Sequence, residues 1–407
     1  MSNKICVYAI CKNEEQFVDK WVKSMSEADS IVVLDTGSTD NTVQKLKDLG
    51  VTVEVKEIKP WRFDVARNEA MKLVPEDCNI LVSTDLDELL EPGWAQVLRD
   101  KWVDGVHERA EYKYTWSHLS DGSEGRSFMY NKIHSRNWIW KAPVHELLGR
   151  IDLLPEKYTL EEVLNMPFEQ QLELSHGMTE NYKFEEKLYL FNEIHLHHYP
   201  DNTKSRGSYL PLLELRAQEN PEDYYGLIYL AHEYCYRGFY DKSINLFKKI
   251  LTEYSEHYNT IEKASCYLFI GDCYKAKAEN EDPTKKLENY DLAMLGYQRA
   301  MLIEPTYREP YLNLAKVYLA LNDYNTAEFY IKRGIKKSYR HYTWLERDSS
   351  WAYEPYDLLC LACFYSGKKR DALAYAYKAL AMDKENERLK SNLELCLQNT
   401  NDIELII

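Results

Sequence analysis

At 407 residues the chain is too long for one ordinary core, so two or three domains are expected. Hydrophobic content of 45% and charged content of 29% are those of a soluble globular protein, and a net charge of −15 excludes a nucleic-acid surface. Nine cysteines without framework spacing suit reduced thiols; with no apolar run near a membrane span and no signal-peptide core after Met1, a cytoplasmic protein is expected.

Lys4 to Ile10 is an apolar strand candidate, followed by Lys12-Asn13-Glu14-Glu15, which opens a helix through Phe17, Trp21 and Val22. Ile31 to Leu34 is the next strand and ends in Asp35-Thr36-Gly37-Ser38-Thr39-Asp40. Gly37 permits the turn, and Ser38, Thr39 or Asp40 can cap a helix carrying Val43, Leu46 and Leu49. Gly50 stops that helix and Val51 to Val55 is a third strand. Strands alternating with helical patterns predict βαβ units and a mostly parallel sheet. The helix opened by Trp61 carries Arg67 and Asn68, placed to point at an anionic ligand.

Ile80 to Thr84 is the fourth strand and runs into Asp85-Leu86-Asp87-Glu88 before breaking at Pro92-Gly93. Open α/β sheets bind ligands at the carboxyl ends of their strands. Packing does not explain three unneutralised carboxylates there, because like charges this close raise each other's pKa. A divalent cation relieves the repulsion, and oxygen ligands suit Mg²⁺ or Mn²⁺; taken alone, a D-x-D triplet is as well read as a solvated acidic turn. Trp94 to Trp102 is helical and Arg109 to Trp116 alternates like a strand. There is no G-x-G-x-x-G, Walker A or G-x-S-x-G motif, so a nucleotide must be held by carboxylates and a metal, which fits nucleotide-sugar chemistry.

Lys12-Asn13-Glu14-Glu15, Val33-Leu34-Asp35-Thr36-Gly37-Ser38-Thr39-Asp40, Ala66-Arg67-Asn68 and Asp85-Leu86-Asp87-Glu88 follow one another in an order and spacing that resemble the family 2 inverting glycosyltransferases. The resemblance extends through Trp140-Lys141-Ala142-Pro143-Val144-His145-Glu146 and Ile194 to Tyr199, with Lys204 and Arg206. The overall plan is similar to the S-glycosyltransferases of bacteriocin peptides. The resemblance implies an α/β GT-A (nucleotide-diphospho-sugar transferase, Rossmann-like) domain over residues 1–206. It further implies Asn13, Glu14 and Asp35 at the nucleotide base, Asp85 at ribose or sugar, Asp87 on Mn²⁺ or Mg²⁺, and Glu146 as catalytic base. Arg67, Lys204 and Arg206 complete the donor site, a UDP-sugar by analogy, with solvated charges at a helix start the alternative for Lys204 and Arg206. Open alternatives are turn and cap chemistry for Asp35 and Asp40, a backbone-amide acceptor for Glu88, and an ion pair for Glu146. His198 shares a strand face with Ile194 and Leu196, opposite His195 and His197, and is either a metal ligand, a phosphate contact or structural. Pro200-Asp201 stand where the family has a glycine after His-Tyr.

Tyrosines thicken after about residue 180, and from 207 every apolar pattern is helical. Leu230-Ala231-x-x-Tyr234, Ile270-Gly271-x-x-Tyr274, Leu314-Ala315-x-x-Tyr318 and Leu359-Cys360-x-x-Cys363 each pair with a second helix at Ser243, Ala293, Ala327 and Ala372. This resembles tetratricopeptide repeats, so residues 207–407 are expected to be an all-α TPR-like solenoid. A charged loop is expected around Lys277 to Lys286, and a docking tail at Asp402 to Ile407. The whole reads as a metal-dependent inverting glycosyltransferase acting on a peptide, protein or glycan acceptor, with repeats that recruit acceptor or mediate a homodimer. The alternatives are an enzyme of cell-surface polysaccharide synthesis and, in another class, a degenerate scaffold.

Overall fold

β1 (Ile5–Cys11) is buried along its whole length, as a central strand covered on both faces must be. Its side chains alternate: Ile5, Val7, Ala9 and Cys11 enter one core, and Cys6, Tyr8 and Ile10 the other. The computed structural model describes residues 3–151, 158–167, 169–174, 188–201 and 207–398. One compact unit comprises Met1–Ser117 with Ser127–Gly226, and a second comprises His118–Arg126 with Leu227–Ile407.

In the first unit, α1 (Val18–Met25) connects β1 to β2 (Ser30–Asp35). α2 (Thr42–Asp48) precedes β3 (Thr52–Val55), and α3 (Phe63–Met71) precedes β4 (Ile80–Ser83). Apart from α1, which starts at Val18 and not at Lys12 to Glu15, these elements lie within two residues of the ends read from the pattern. α1 buries Val18, Trp21, Val22 and Met25, one stripe at helical spacing. β5 (Glu88–Leu90), α4 (Trp94–Lys101), β6 (Arg109–Thr115) and β7 (Ser127–His134) follow. β8 (Trp138–Lys141) and β9 (Leu147–Arg150) form a separate hairpin. α5 (Leu160–Asn165) buries Leu160, Val163 and Leu164 behind a Thr159–Glu162 capping box. β10 (Leu188–His198) is the last strand of the unit.

Among the described residues, the main sheet has the order β3-β2-β1-β4-β7-β6-β10-β5. β1 pairs in parallel with β2 and β4, and β2 with β3. β7 is antiparallel to β4 and β6, and β5 to β10. The parallel strands therefore deliver their following loops, 12–17, 36–41 and 84–87, to one edge of the sheet. α6 (Tyr209–Glu219) closes the unit, so the border expected at 206/207 falls inside it.

The second unit contains the helix pairs α7 (Tyr224–Tyr236) with α8 (Tyr240–Glu253), and α9 (Thr260–Asn280) with α10 (Lys286–Ile303). α11 (Glu309–Ala320) pairs with α12 (Tyr324–Ile335). A short α13 (Asp348–Trp351) precedes α14 (Glu354–Tyr365), α15 (Lys369–Met382) and α16 (Glu387–Gln398). Ser243, Ala293, Ala327 and Ala372 are fully buried, which lets paired helices approach as tetratricopeptide-like hairpins do. Tyr274 and Tyr318 pack beside them, partly buried. The expected charged loop is mostly helix, because α9 continues to Asn280 and α10 resumes at Lys286. Capping by the Asn259–Glu262 box and close packing on α10 favour the added turns. The Cys360-x-x-Cys363 thiols are buried within α14, in a packing role. Asp402 to Ile407 lie outside the described residues.

Candidate active site

β4 ends at Ser83, and the chain then turns through the three acids, which the structure separates into three environments. Asp85 accepts from Arg67 Nη2 at 2.9 Å and stands 3.8 Å from Lys132 Nζ. Burial works against its charge, but Arg67 and Lys132 outweigh it and hold its pKa at about 2. Glu88 is buried and accepts the Asp85 amide at 2.9 Å and the Tyr114 hydroxyl at 2.8 Å. It is the backbone-amide acceptor of the two alternatives, and burial beside Asp85 raises its pKa. The cluster is thus not unneutralised: Arg67 and Lys132 arrive from α3 and β7, which local sequence cannot reveal.

Asp87 faces His198. Its Oδ2 lies 3.3 Å from His198 Nε2, while His198 Nδ1 donates to the Trp116 carbonyl at 3.0 Å. The register His198↔Glu88 between β10 and β5 brings the two ends together. The indole of Trp116 covers the imidazole at 4.5 Å between ring centroids. Burial lowers the His198 pKa, but Asp87 more than compensates, leaving it above the ordinary value.

Arg67 is almost fully buried and joins the tip to the β8–β9 loop. Its Nε pairs with Glu146, its Nη1 donates to Ser83 Oγ at 3.3 Å, and its guanidinium lies 5.2 Å from the Trp140 ring centroid. Burial opposes the Glu146 charge, but Arg67 and Lys132 keep its pKa below the usual carboxylate range. Glu146 is therefore ionised and ion-paired with Arg67, and an ionised carboxylate can still accept a proton. The loop before it contains two non-glycine residues in the left-handed region, Ala142 at φ 76° and His145 at φ 48°. Arg216 of α6 holds this backbone by donating from Nη1 to the Val144 and His145 carbonyls at 2.9 and 2.8 Å. Asn68 does not point at a ligand: it exchanges two 2.9 Å hydrogen bonds with the Trp140 backbone.

The loops after β1 and β2 lock together. Asn13, at φ 55°, accepts the Thr39 amide at 2.7 Å, and its own amide donates to Ser38 Oγ at 2.8 Å. The Glu14 amide donates to Thr42 Oγ1 at 2.8 Å. Asp35 is fully buried, and its Oδ1 accepts the Gly37 and Ser38 amides at 2.9 and 2.8 Å. Its carboxylate therefore holds the turn, and it acts on the crevice through that turn. Asp40 accepts from Thr42 and Glu15 amides, as cap chemistry does. Lys204 and Arg206 lie outside the described residues. Sequence reading missed Lys132, Tyr114, Trp116 and Arg216. A lysine amid apolar β7 positions was the one available signal.

Residues 6–144 match the Glycosyl transferase family 2 profile, so the first unit carries a glycosyltransferase domain and the protein is a glycosyltransferase. Such a domain implies a nucleotide-sugar donor and an acceptor. No curated protein matches the chain. Solved structures similar to it include a thermophilic TPR protein of Thermus thermophilus, TTC0263, at 21% identity, covering 46% of this chain and 89% of that one with a TM-score of 0.37. The MamA protein matches at 18% identity over 44% of this chain and 83% of that one, TM-score 0.31. The first TPR domain of human RPAP3 matches at 19% identity over 31% and 90%, TM-score 0.25. Among the described residues, no helix is long and apolar enough to cross a membrane.

Proposed function

We propose that the first unit transfers a sugar from a nucleoside-diphosphate donor, a UDP-sugar by preference, to a peptide, protein or glycan acceptor with inversion at the anomeric carbon. The observation that carries this reading is the Asp87–His198 pair. With its Nδ1–H given to the Trp116 carbonyl, His198 turns its Nε2 toward the Asp87 carboxylate. A carboxylate beside an oriented imidazole fits Mn²⁺ or Mg²⁺, and enzymes of this family commonly depend on a divalent cation. Held there, the ion supplies Lewis-acid stabilisation of the diphosphate charge.

The other residues bind and move protons. Asp85, kept ionised by Arg67 and Lys132, accepts a ribose or sugar hydroxyl. Asn13, Glu14 and the turn held by Asp35 flank the nucleotide base, and Lys204 and Arg206 neutralise the diphosphate. The acceptor oxygen or sulfur bonds to the anomeric carbon as the sugar–phosphate bond breaks. Glu146 takes up the proton the acceptor loses. The helical unit binds acceptor or a second copy, and the free cysteines agree with a cytoplasmic setting.

Calorimetry with UDP, with and without Mn²⁺, is the direct test, alongside donor hydrolysis over a panel of nucleotide sugars. Mn²⁺-dependent binding and hydrolysis are expected in the wild type and lost in Asp87→Ala. Unchanged Mn²⁺ dependence in that variant removes the metal assignment. Glu146→Gln is expected to lower turnover by about 10²–10⁴ with donor affinity kept; unchanged turnover removes the base.

A further inference from the structure

On the face of β10 opposite His198, His195 and His197 converge with Glu91, the residue after β5. Glu91 Oε1 lies 3.1 Å from His195 Nδ1 and 2.9 Å from His197 Nε2. The two imidazole centroids are 3.9 Å apart. We infer that Glu91, His195 and His197 form a second metal site, separate from the Asp87–His198 pair, of the two-imidazole, one-carboxylate class that takes Zn²⁺.

The donor set distinguishes this site from the first. Two imidazoles favour Zn²⁺ and its transition-metal neighbours over Mg²⁺. Zn²⁺ bonds of about 2.0–2.1 Å put tetrahedral ligand atoms about 3.3 Å apart. The spacings to Glu91 are a few tenths of an ångström shorter, within side-chain adjustment. All three ligand atoms already lie within 4.8 Å of one another. His195 is also oriented from behind: its Nε2 meets Thr115 Oγ1 at 2.8 Å, and that hydroxyl meets Ser127 Oγ at 3.0 Å. Hydroxyl support of the far nitrogen turns Nδ1 toward Glu91, as outer partners of metal-bound imidazoles do. Glu91 is half exposed, which leaves the ion a path from solvent and a position for water.

The backbone gives the site a consequence. β5 is a short edge strand, and it follows directly on Asp85 and Asp87. Its register with β10, and the Glu91 amide donating to the His195 carbonyl at 3.0 Å, place the ligands side by side. An ion bound there ties the strand leading out of the acidic tip to the strand ending in His198.

The test uses the full chain, stripped with chelator and titrated calorimetrically with Zn²⁺, with thermal unfolding followed in parallel. Asp87→Ala, which lacks the carboxylate of the first site, is expected to bind one equivalent, and both it and the wild type to melt at higher temperature with Zn²⁺. Glu91→Gln and His197→Gln are expected to lose more than about tenfold in affinity, and the thermal shift with it. Glu91→Gln alters a half-exposed side chain and keeps the fold, so its result stands if His197→Gln folds poorly. Wild-type affinity in both variants, no binding by the wild type, or loss in Asp87→Ala alone would overturn the proposal.

Discussion

Replacing Arg67 by methionine keeps the length of the side chain and removes the charge shared by Asp85 and Glu146. Arg67 is 3% exposed and Glu146 9%, whereas Asp85 is 38% exposed. Removing one partner of a buried ion pair costs about 3–5 kcal/mol; because water reaches Asp85, the lower end, about 3 kcal/mol at pH 7, applies here. The pH dependence carries the sharper signature. In the wild type the Asp85 pKa is depressed from 3.8 to about 2, so its contribution is complete above about pH 4 and is lost as pH falls through the folded value. Without Arg67, burial dominates and raises both carboxyls, so folding takes up protons. The deficit of the variant should therefore shrink as pH falls from 7 toward 4. Urea denaturation at several pH values measures this, with hydrogen exchange of β1 and β4 amides assigning the transition to the first unit. Adding Glu146→Gln should return about 1–2 kcal/mol, since the two sites are in contact. A deficit under about 1 kcal/mol at pH 7, or one constant down to pH 4, would refute the account.

Glu88→Gln should destabilise the first unit by about 1–3 kcal/mol, because an amide cannot accept from both the Asp85 amide and the Tyr114 hydroxyl as the carboxylate does; urea denaturation reads this. In the helical unit, a Cβ at Gly296 would stand 2.9 Å from the Gly271 Cα and from the Tyr267 carbonyl, both backbone. Gly296→Ala should cost about 1–3 kcal/mol by overpacking, and more than Gly271→Ala, whose nearest atoms belong to the Tyr297 ring; thermal melts rank the two. Glu309 of α11 is fully buried and burial raises its pKa to about 7 from 4.5. Its raised value means the native state holds the proton, so the stability of the second unit should fall by up to about 3 kcal/mol between pH 4.5 and 7. Glu309→Gln should flatten that slope, which denaturation across the same pH range will show.

The central strands were legible because burial on both faces leaves a local mark. Continuous apolar runs at Ile5 to Ile10 and Ile80 to Val82 need no partner to be recognised, and Gly37 and Gly93 mark their turns by positive φ. β5, β7, β8 and β9 were not legible. They are short or irregularly alternating; β5 and β7 become strands because β4, β6 and β10 offer them edges, and β8 and β9 because they pair with each other. The same limit applied to the extra turns of α9, which packing on α10 sustains.

The acids of the tip were visible in the sequence, while their division of labour was not. Asp85, Asp87 and Glu88 are near neighbours in the chain, yet their partners come from α3, β6, β7 and β10. Arg67 takes Asp85, the Asp85 amide and Tyr114 take Glu88, and His198 is left to Asp87. Which residue types occupy a turn is a local matter of side-chain chemistry. Which carboxylate is neutralised, which is buried and which faces an imidazole depends on strand pairings that link distant segments, and long-range burial alone selects those. The sequence by itself determined the acidic strand end and the helical repeat pattern; tertiary structure decided the charge state and direction of each group that meets there.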